Sequence, residues 1–395
     1  MDSTHEKRVF FFLSAGWGPV VRTLPIMSRL RDHGVASSLA IAGTIGAELH
    51  AAGFDLIELS VPAFDVPASE TRHWWSPYHH LAFHANDIDS LLAHAEAYRK
   101  PILDGAPAVV VTDLNPMAAL AARSLQVPHI TISQSLFLPG RKYDSSRWAM
   151  PCALGAINRI LAHYGADLLG SAAHLELGDS TLLPSFPEFD PLQNAPPSLQ
   201  YLGPILGNQL IPLRPSPDRP SAAKGLPEIF FYPGRPRDGS GPSGQALLNV
   251  GLPALSGINA AVTVATGGFE FELPQWARDR CRIVPWRVIS AEYKPDLIIH
   301  HGGHGACLTA ISAGIPSVVV PTHAEREYNA SNLAALGCGA FVAIEEADVP
   351  RLRRAIETML DNPACARTCA QWSETLAARG YGGADLAARM ILHMV

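Results

Sequence analysis

The sequence predicts an α/β protein of two consecutive halves, each built on a doubly wound parallel sheet. Three observations carry that expectation. At 395 residues the chain is too long for one ordinary core, so two domains of about 200 residues each are expected. Short apolar runs alternate with longer amphipathic stretches, the pattern of buried strands separated by helices. A Pro- and Gly-rich passage after about residue 180 separates two such series.

The first series opens on Val9-Phe10-Phe11-Phe12-Leu13, an uninterrupted apolar strand of the kind covered on both faces. A helix pattern follows over 25–34, a strand over 37–43, a second helix pattern around 45–53, a strand over 108–113, a helix over 117–126 and a strand over 128–133. Pro and Gly then interrupt every period through 182–204 and 210–227. The second series begins with a strand at 228–232 and a Gly/Pro/Ser loop at 233–244. It continues with a helix over 246–255, strands at 260–268, 281–286 and 296–301, and further strands at 316–321 and 340–344 with helices between them. Gly380-Tyr381-Gly382-Gly383 breaks the pattern before a last amphipathic helix, 384–395. The expected domains are 1–212 and 227–379 with a linker at 213–226, and 380–395 is a C-terminal helix placed to pack back on the first domain.

Composition excludes several classes of function. The chain is 48% hydrophobic and 17% charged, against about 25% charged in ordinary soluble domains, which fits a well-buried globular protein and not a disordered one. Thirty basic residues against thirty-six acidic give a formal charge of −6, with no dense Lys/Arg run, so no nucleic-acid partner is expected. The apolar run Val9–Leu13 is too short for a signal segment or a membrane span, and a cytoplasmic protein without a membrane partner is expected. The six cysteines, at 152, 281, 307, 338, 365 and 369, form no CxxC pair and read as reduced, partly buried thiols. His79-His80 and His300-His301 lack the spacing of a zinc site, so no metal is expected.

The chemistry concentrates at His300-His301-Gly302-Gly303-His304-Gly305, directly after the apolar run 295–299 and directly before a helix pattern. In an open α/β sheet ligands sit outside the carboxyl ends of the strands, and a Gly-rich turn entering a helix aims main-chain N–H groups and the positive helix end at an anion. Gly302, Gly303 and Gly305 let the backbone approach a phosphate, His301 adds a side-chain donor, and His304 faces either the ligand or the cleft. A diphosphate suits such a turn. Taken alone, the same residues also describe a tight strand-to-helix turn whose glycines merely supply positive φ and whose histidines lie at the surface.

The continuation through HHGGHGACLTAISAGIPSVVVPTHAEREYNASNLAALGCGA resembles the donor-binding region of the GT-B glycosyltransferases, within the UDP-glycosyltransferase-like family and its bacterial natural-product branch. Weaker similarity covers LSAGWGPVVRTLPIMSRLRDHG, VVVTDLNPMAALAARSLQVPHITISQS and RIVPWRVI. The resemblance implies the GT-B fold, two Rossmann-like domains facing a central cleft, with the acceptor on the first and the nucleotide sugar on the second. It implies that His301 and the turn through Gly302, Gly303, His304, Gly305 and Ala306 hold the donor diphosphate, and that Glu325 and Arg326, in place of the family's Asp-Gln, meet the sugar. Ala306 replaces a Thr or Ser, which removes one hydroxyl from the phosphate site. Thr309 stands where plant-type members carry a ribose-binding Glu. Trp286 is placed to stack on the base, with a buried core role as the alternative. Arg235 and Arg237 lie on a loop able to close over the phosphates.

The resemblance also locates a gap. The family's general base follows the glycine of the first loop, and Pro19 stands at that position, where no proton can be taken. Asp113 matches the acid that orients that base, and either serves as a base directly or is a structural remnant. His79 is the other candidate base, since an imidazole titrates near neutral pH. It belongs to the stretch 72–84, in which Trp75, His80 and His84 suit a wall of the acceptor pocket, while Trp17 and Gly18 keep the first loop small. The implied activity is inverting transfer of a sugar from a dTDP- or UDP-sugar to a small natural-product acceptor, with no cofactor beyond the nucleotide-sugar co-substrate. Two alternatives follow from Pro19: a catalytically silent homologue serving a partner enzyme, or transfer with a C- or N-linkage or of a non-sugar group. The sequence leaves homodimer formation open.

Overall fold

The computed structural model describes residues 7–14, 16–41, 44–62, 76–140, 149–206, 225–236, 243–285, 289 and 293–395. Trp75, Trp286, Arg237 and most of the expected linker lie outside them. Two compact units form among the described residues: the first combines residues 7–62, 76–206 and 381–395, and the second residues 225–380.

The first unit is a parallel sheet of six strands, β1 (Arg8–Leu13), β2 (Ala36–Ala40), β3 (Val109–Asp113), β4 (His129–Ile132), β5 (Ser180–Leu183) and β6 (Leu199–Tyr201), in the order β2-β1-β3-β4-β5-β6. The unbroken apolar character of β1 has a direct cause. Val9, Phe11 and Leu13 enter one core and Phe10 and Phe12 the core on the opposite face, so neither side of the strand meets water.

The helix expected from Pro25 onward starts earlier. Helix α1 spans Trp17–Asp32, with Pro25 inside it. Pro19 sits in its first turn, where a missing N–H forfeits no intrahelical bond. Trp17 and Gly18, expected in a small loop, are therefore the first helical residues, and Trp17 packs half-buried against the core beneath α1.

Residues 381–395 complete the first unit. Helix α13 (Gly383–Leu392) lies along α1 and contributes Ala387, Ala388 and Ile391 to the core that holds Val20, Leu24 and Leu30. Its approach is anchored where the Gly383 N–H donates to Leu202 O at 2.8 Å. There Gly203, at φ +76°, lies so close to Tyr381 that an added Cβ would fall 2.2 Å from the Tyr381 Cβ.

The second unit is likewise parallel: β7 (Glu228–Tyr232), β8 (Ala261–Ala265), β9 (Arg282–Val284), β10 (Leu297–His300), β11 (Ser317–Val319) and β12 (Gly339–Phe341), in the order β12-β11-β10-β7-β8-β9. Ile229, Phe231, Leu297 and Ile299 fill the core on one face, and Phe230 and Ile298 that on the other.

Ile391 is fully buried at the contact of α13 with α1. Ile391→Ala is expected to lower the unfolding free energy of the first unit by about 2–4 kcal/mol, from lost burial plus an unfilled cavity. Urea denaturation followed by circular dichroism measures it.

Candidate functional site

In the second unit the strand order reverses between β7 and β10, where His300 pairs with Tyr232 and the following connections run to opposite sides. Such a switch point opens a crevice at the carboxyl ends of the strands. The turn 301–303 leaves β10 there, and Pro233-Gly234-Arg235 leave β7 beside it. Gly302 at φ +86° redirects the chain, and a Cβ on it would come within 2.9 Å of Arg326 O and 3.0 Å of a Val319 methyl.

The two histidines are oriented by the main chain. The Gly302 N–H donates to His300 Nδ1 at 3.1 Å and the Gly303 N–H to His301 Nδ1 at 3.0 Å. A ring nitrogen that accepts carries no proton, so in the neutral form each ring carries its proton on Nε2. Neutrality follows from burial, which pushes His300 down to about 3 and His301 well below the usual imidazole value, with Arg326, His300, His323 and Arg235 adding to the effect on His301. His301 is therefore a fixed Nε2–H donor. Its ring lies against Tyr232 at 5.4 Å between centroids and against Gly234, where an added Cβ would sit 2.4 Å from Cδ2 and 2.9 Å from Nε2.

Helix α9 (His304–Ala313) begins at Gly303 without a side-chain cap and without an acidic residue in its first turn. Its leading N–H groups thus keep their capacity for an anion. Gly305 is exposed, Gly303 and Ala306 half-buried, and His304 buried. Helix α10 (Ala324–Ala335) supports the turn: Asn329 Nδ2 donates to Gly302 O at 3.1 Å and lies 3.5 Å from Glu325 Oε1. Arg326 is buried, donates to Thr322 Oγ1, and stands close enough to Tyr232 and His301 to act on both electrostatically. His301, Gly302, Gly303, His304, Gly305, Ala306, Glu325 and Arg326 are thus neighbours in space as in the sequence.

In the first unit the corresponding reversal lies between β1 and β3, and it is filled. Asp113, the last residue of β3 and fully buried, receives Arg22 Nε on Oδ2 and Arg22 Nη2 on Oδ1. Burial raises the Asp113 carboxyl and the guanidinium opposes that rise. Arg22 reaches back along α1 beneath Gly18, which is exposed. The position expected to supply an available carboxylate holds one half of an ion pair.

His79, the other expected base, lies on helix α3 (Pro77–Phe83), and its Nδ1 closes the capping box with Ser76 at 3.3 Å from the Ser76 N. His84 caps the other end and is buried, while His80 is exposed. Among the residues that α3 turns inward is Tyr78. Its hydroxyl donates to Glu176 Oε1 at 2.5 Å, and Ser133, which follows β4, donates to Glu176 Oε2 at 3.0 Å. Burial pushes Glu176 up to about 7; the two hydroxyl donors act against it and the neighbouring Asp113 adds to it. Sequence reasoning missed Arg22, Tyr78, Ser133 and Glu176. Arg22 was findable, because a helix begun at Trp17 puts it one turn beyond Pro19. Glu176, in a short 3-10 turn at Ala172–Glu176, has no local signal. Among the described residues no group of three or more His, Cys, Asp or Glu is arranged to hold a metal ion.

A family model described as "Erythromycin biosynthesis protein CIII-like, C-terminal domain" matches residues 273–387. A PGL/p-HBAD biosynthesis glycosyltransferase of Mycobacterium tuberculosis is 25% identical over 306 residues, 69% of this chain and 67% of that protein. Among solved structures, the calicheamicin glycosyltransferase CalG4 superposes with a TM-score of 0.70 at 18% identity, covering 99% of this chain and 98% of that one. The glycosyltransferase VinC in complex with DTDP gives a TM-score of 0.68 at 16% identity, covering 98% and 99%. The two sheets with their helices are those of the GT-B fold. Beyond the fold, the chain is similar in sequence to glycosyltransferases of bacterial natural-product biosynthesis.

Glu176 makes the stability of the first unit depend on pH. Its carboxyl is raised from an ordinary 4.5 to about 7 in the folded state, so between those values the folded chain binds more protons than the unfolded one. Stability therefore falls as pH rises from about 4.5 to about 7 and is level above it. Glu176→Gln is expected to flatten this slope and to stabilise the unit at pH 8, on the order of 2–3 kcal/mol. Urea titrations at pH 5, 6, 7 and 8 on both proteins measure the difference.

Proposed function

We propose that the chain is an inverting glycosyltransferase that moves a sugar from a dTDP- or UDP-sugar to a hydroxyl of a small natural-product acceptor. The observation that carries this is the donor array at the switch point of the second unit: an uncapped helix N-terminus beside an imidazole locked as an Nε2–H donor. Breaking the bond between the anomeric carbon and the diphosphate leaves negative charge on the phosphate oxygens. Fixed N–H donors and a helix end stabilise that charge without reorganising. Arg235 and Arg326 add positive charge at the same place, and both already act electrostatically on His301. Thymidine diphosphate in the VinC structure supports a nucleoside diphosphate as the guest, and the glycosyltransferase relatives support a sugar as the transferred group. Glu325 and Arg326 are assigned to the sugar, Trp286 to the base, and Trp75, His80 and His84 with Gly18 to the acceptor side. Trp17, packed on the core, serves that side by shaping the start of α1.

A second reading has its own observation. Pro19 takes no proton, and Arg22 occupies both oxygens of Asp113, as expected of a homologue that binds a nucleotide sugar without transferring it. Transfer to carbon or nitrogen, which has a different need for a base, meets the same geometry.

Titration calorimetry with dTDP and UDP is expected to show binding of at least one nucleotide. His301→Ala is expected to weaken it about 10–100-fold, the worth of one hydrogen bond to a charged group. Equal affinity in the two proteins removes His301 from the donor site. With a panel of sugar nucleotides and acceptors, a product whose anomeric configuration is opposite to that of the donor identifies the inverting enzyme, and binding without turnover identifies the silent homologue.

A further inference from the structure

Four described residues other than glycine hold a positive φ, and three of them stand where such a backbone is ordinary. Ala106 and Gln126 follow the last turns of the helices Ile88–Gly105 and Pro116–Leu125, the usual place for a left-handed cap. Asn194 carries a side chain that tolerates that region. Leu114 is the exception. At φ +49° it directly follows β3, where a bulky side chain crowds the next carbonyl and a glycine, as at 302, does not. Its conformation is imposed from both sides. The Ser14 N–H donates to Asp113 O at 2.9 Å, and Arg22 holds the Asp113 carboxylate. Beyond it, Asn115 Nδ2 donates to Leu13 O at 3.4 Å, and Asn115 Oδ1 accepts from the Ala118 N–H at 3.2 Å. The side chain enters neither of the cores that cover β1 and stays half-buried. Glycine at 114 would relieve the strain without emptying either core, so the strain is retained for what the leucine presents outward.

Resting on the transferase reading, we propose that Leu114 is an acceptor-binding residue, whose isobutyl group forms the apolar seat for an uncharged ring of the small-molecule acceptor. Leu13 pairs with Asp113, so Ser14 and Leu114 continue side by side at the point where the strand order of the first sheet reverses. An α/β sheet receives its ligand there. Directly beneath, Arg22 and Asp113 answer each other's charge, and the seat attracts no ion of its own. Space is left above Arg22 as well. Gly18 is exposed, and a Cβ on it would meet nothing nearer than Arg22 Nη1 at 3.9 Å. A ring laid on Leu114 displaces water from an apolar group that the fold has already fixed, so little ordering cost opposes binding. Leu114 takes no part in bond making; it holds and orients the acceptor.

Equilibrium dialysis of 2-naphthol and 4-methylumbelliferone, two uncharged aromatic alcohols, against the full chain and against Leu114→Gly, Leu114→Asn and Leu114→Met tests this. The unaltered protein is expected to bind at least one of the two. Leu114→Gly is expected to weaken that binding about 10-fold or more, the worth of burying most of a leucine side chain, while its Tm stays level or rises. Leu114→Asn, which suits the backbone but is polar, is expected to bind as weakly, and Leu114→Met, which stays apolar, to keep the affinity within about threefold. Equal affinity in Leu114→Gly and the unaltered protein overturns the proposal, as does binding of neither compound. A fall in the Tm of Leu114→Gly of more than about 5 °C also overturns it, because that is the loss expected of a core leucine. Calorimetry with dTDP and UDP on the same proteins reads the transferase reading separately: these failures leave nucleotide binding standing, and absence of binding to both nucleotides overturns the reading on which this one rests.

Discussion

The hydrogen bond from the Gly303 N–H to His301 Nδ1 sets what the second unit offers to a ligand. It leaves the imidazole one proton, on Nε2, and the ring lies against Gly234 and Tyr232. Burial keeps that ring neutral, so it contributes direction and no charge. Charge comes from Arg235, Arg326 and the end of α9. The site thus separates two tasks that an imidazolium would combine.

The first unit carries two neighbouring buried carboxylates with opposite surroundings. Asp113 faces a guanidinium that answers its charge, whereas Glu176 faces two hydroxyls that solvate it without neutralising it. Proximity makes the two interdependent, because the charge on Asp113 raises the cost of ionising Glu176. Burial raises both carboxyls, against the guanidinium at Asp113 and against the two hydroxyls at Glu176. Arg22 therefore shapes the behaviour of Glu176 as well as that of its direct partner.

Much of this was legible in the amino-acid order, and the reasons are physical. The apolar run Val9–Leu13 announced a strand covered on both sides, and both faces are indeed filled. The His/Gly turn announced itself because its residues are contiguous and because glycine at 302 answers a steric demand, the closeness of Arg326 and Val319. Helix α1 was begun too late, since Gly16-Trp17-Gly18-Pro19 reads as a loop when helix-breaking residues are counted without asking where in a helix they stand. The Tyr78–Ser133–Glu176 cluster was not legible at all. Its members come from a helix, a strand exit and a 3-10 turn that only the fold brings together, and none sits in a pattern that singles it out.

The place of residues 381–395 also bears on how the protein is made. The α1 surface that carries Val20 and Leu24 stays uncovered while the ribosome produces everything between it and α13, including the whole of the second unit. The later-made unit can therefore close as a contiguous stretch before the earlier-made one is finished, reversing the usual order of vectorial folding.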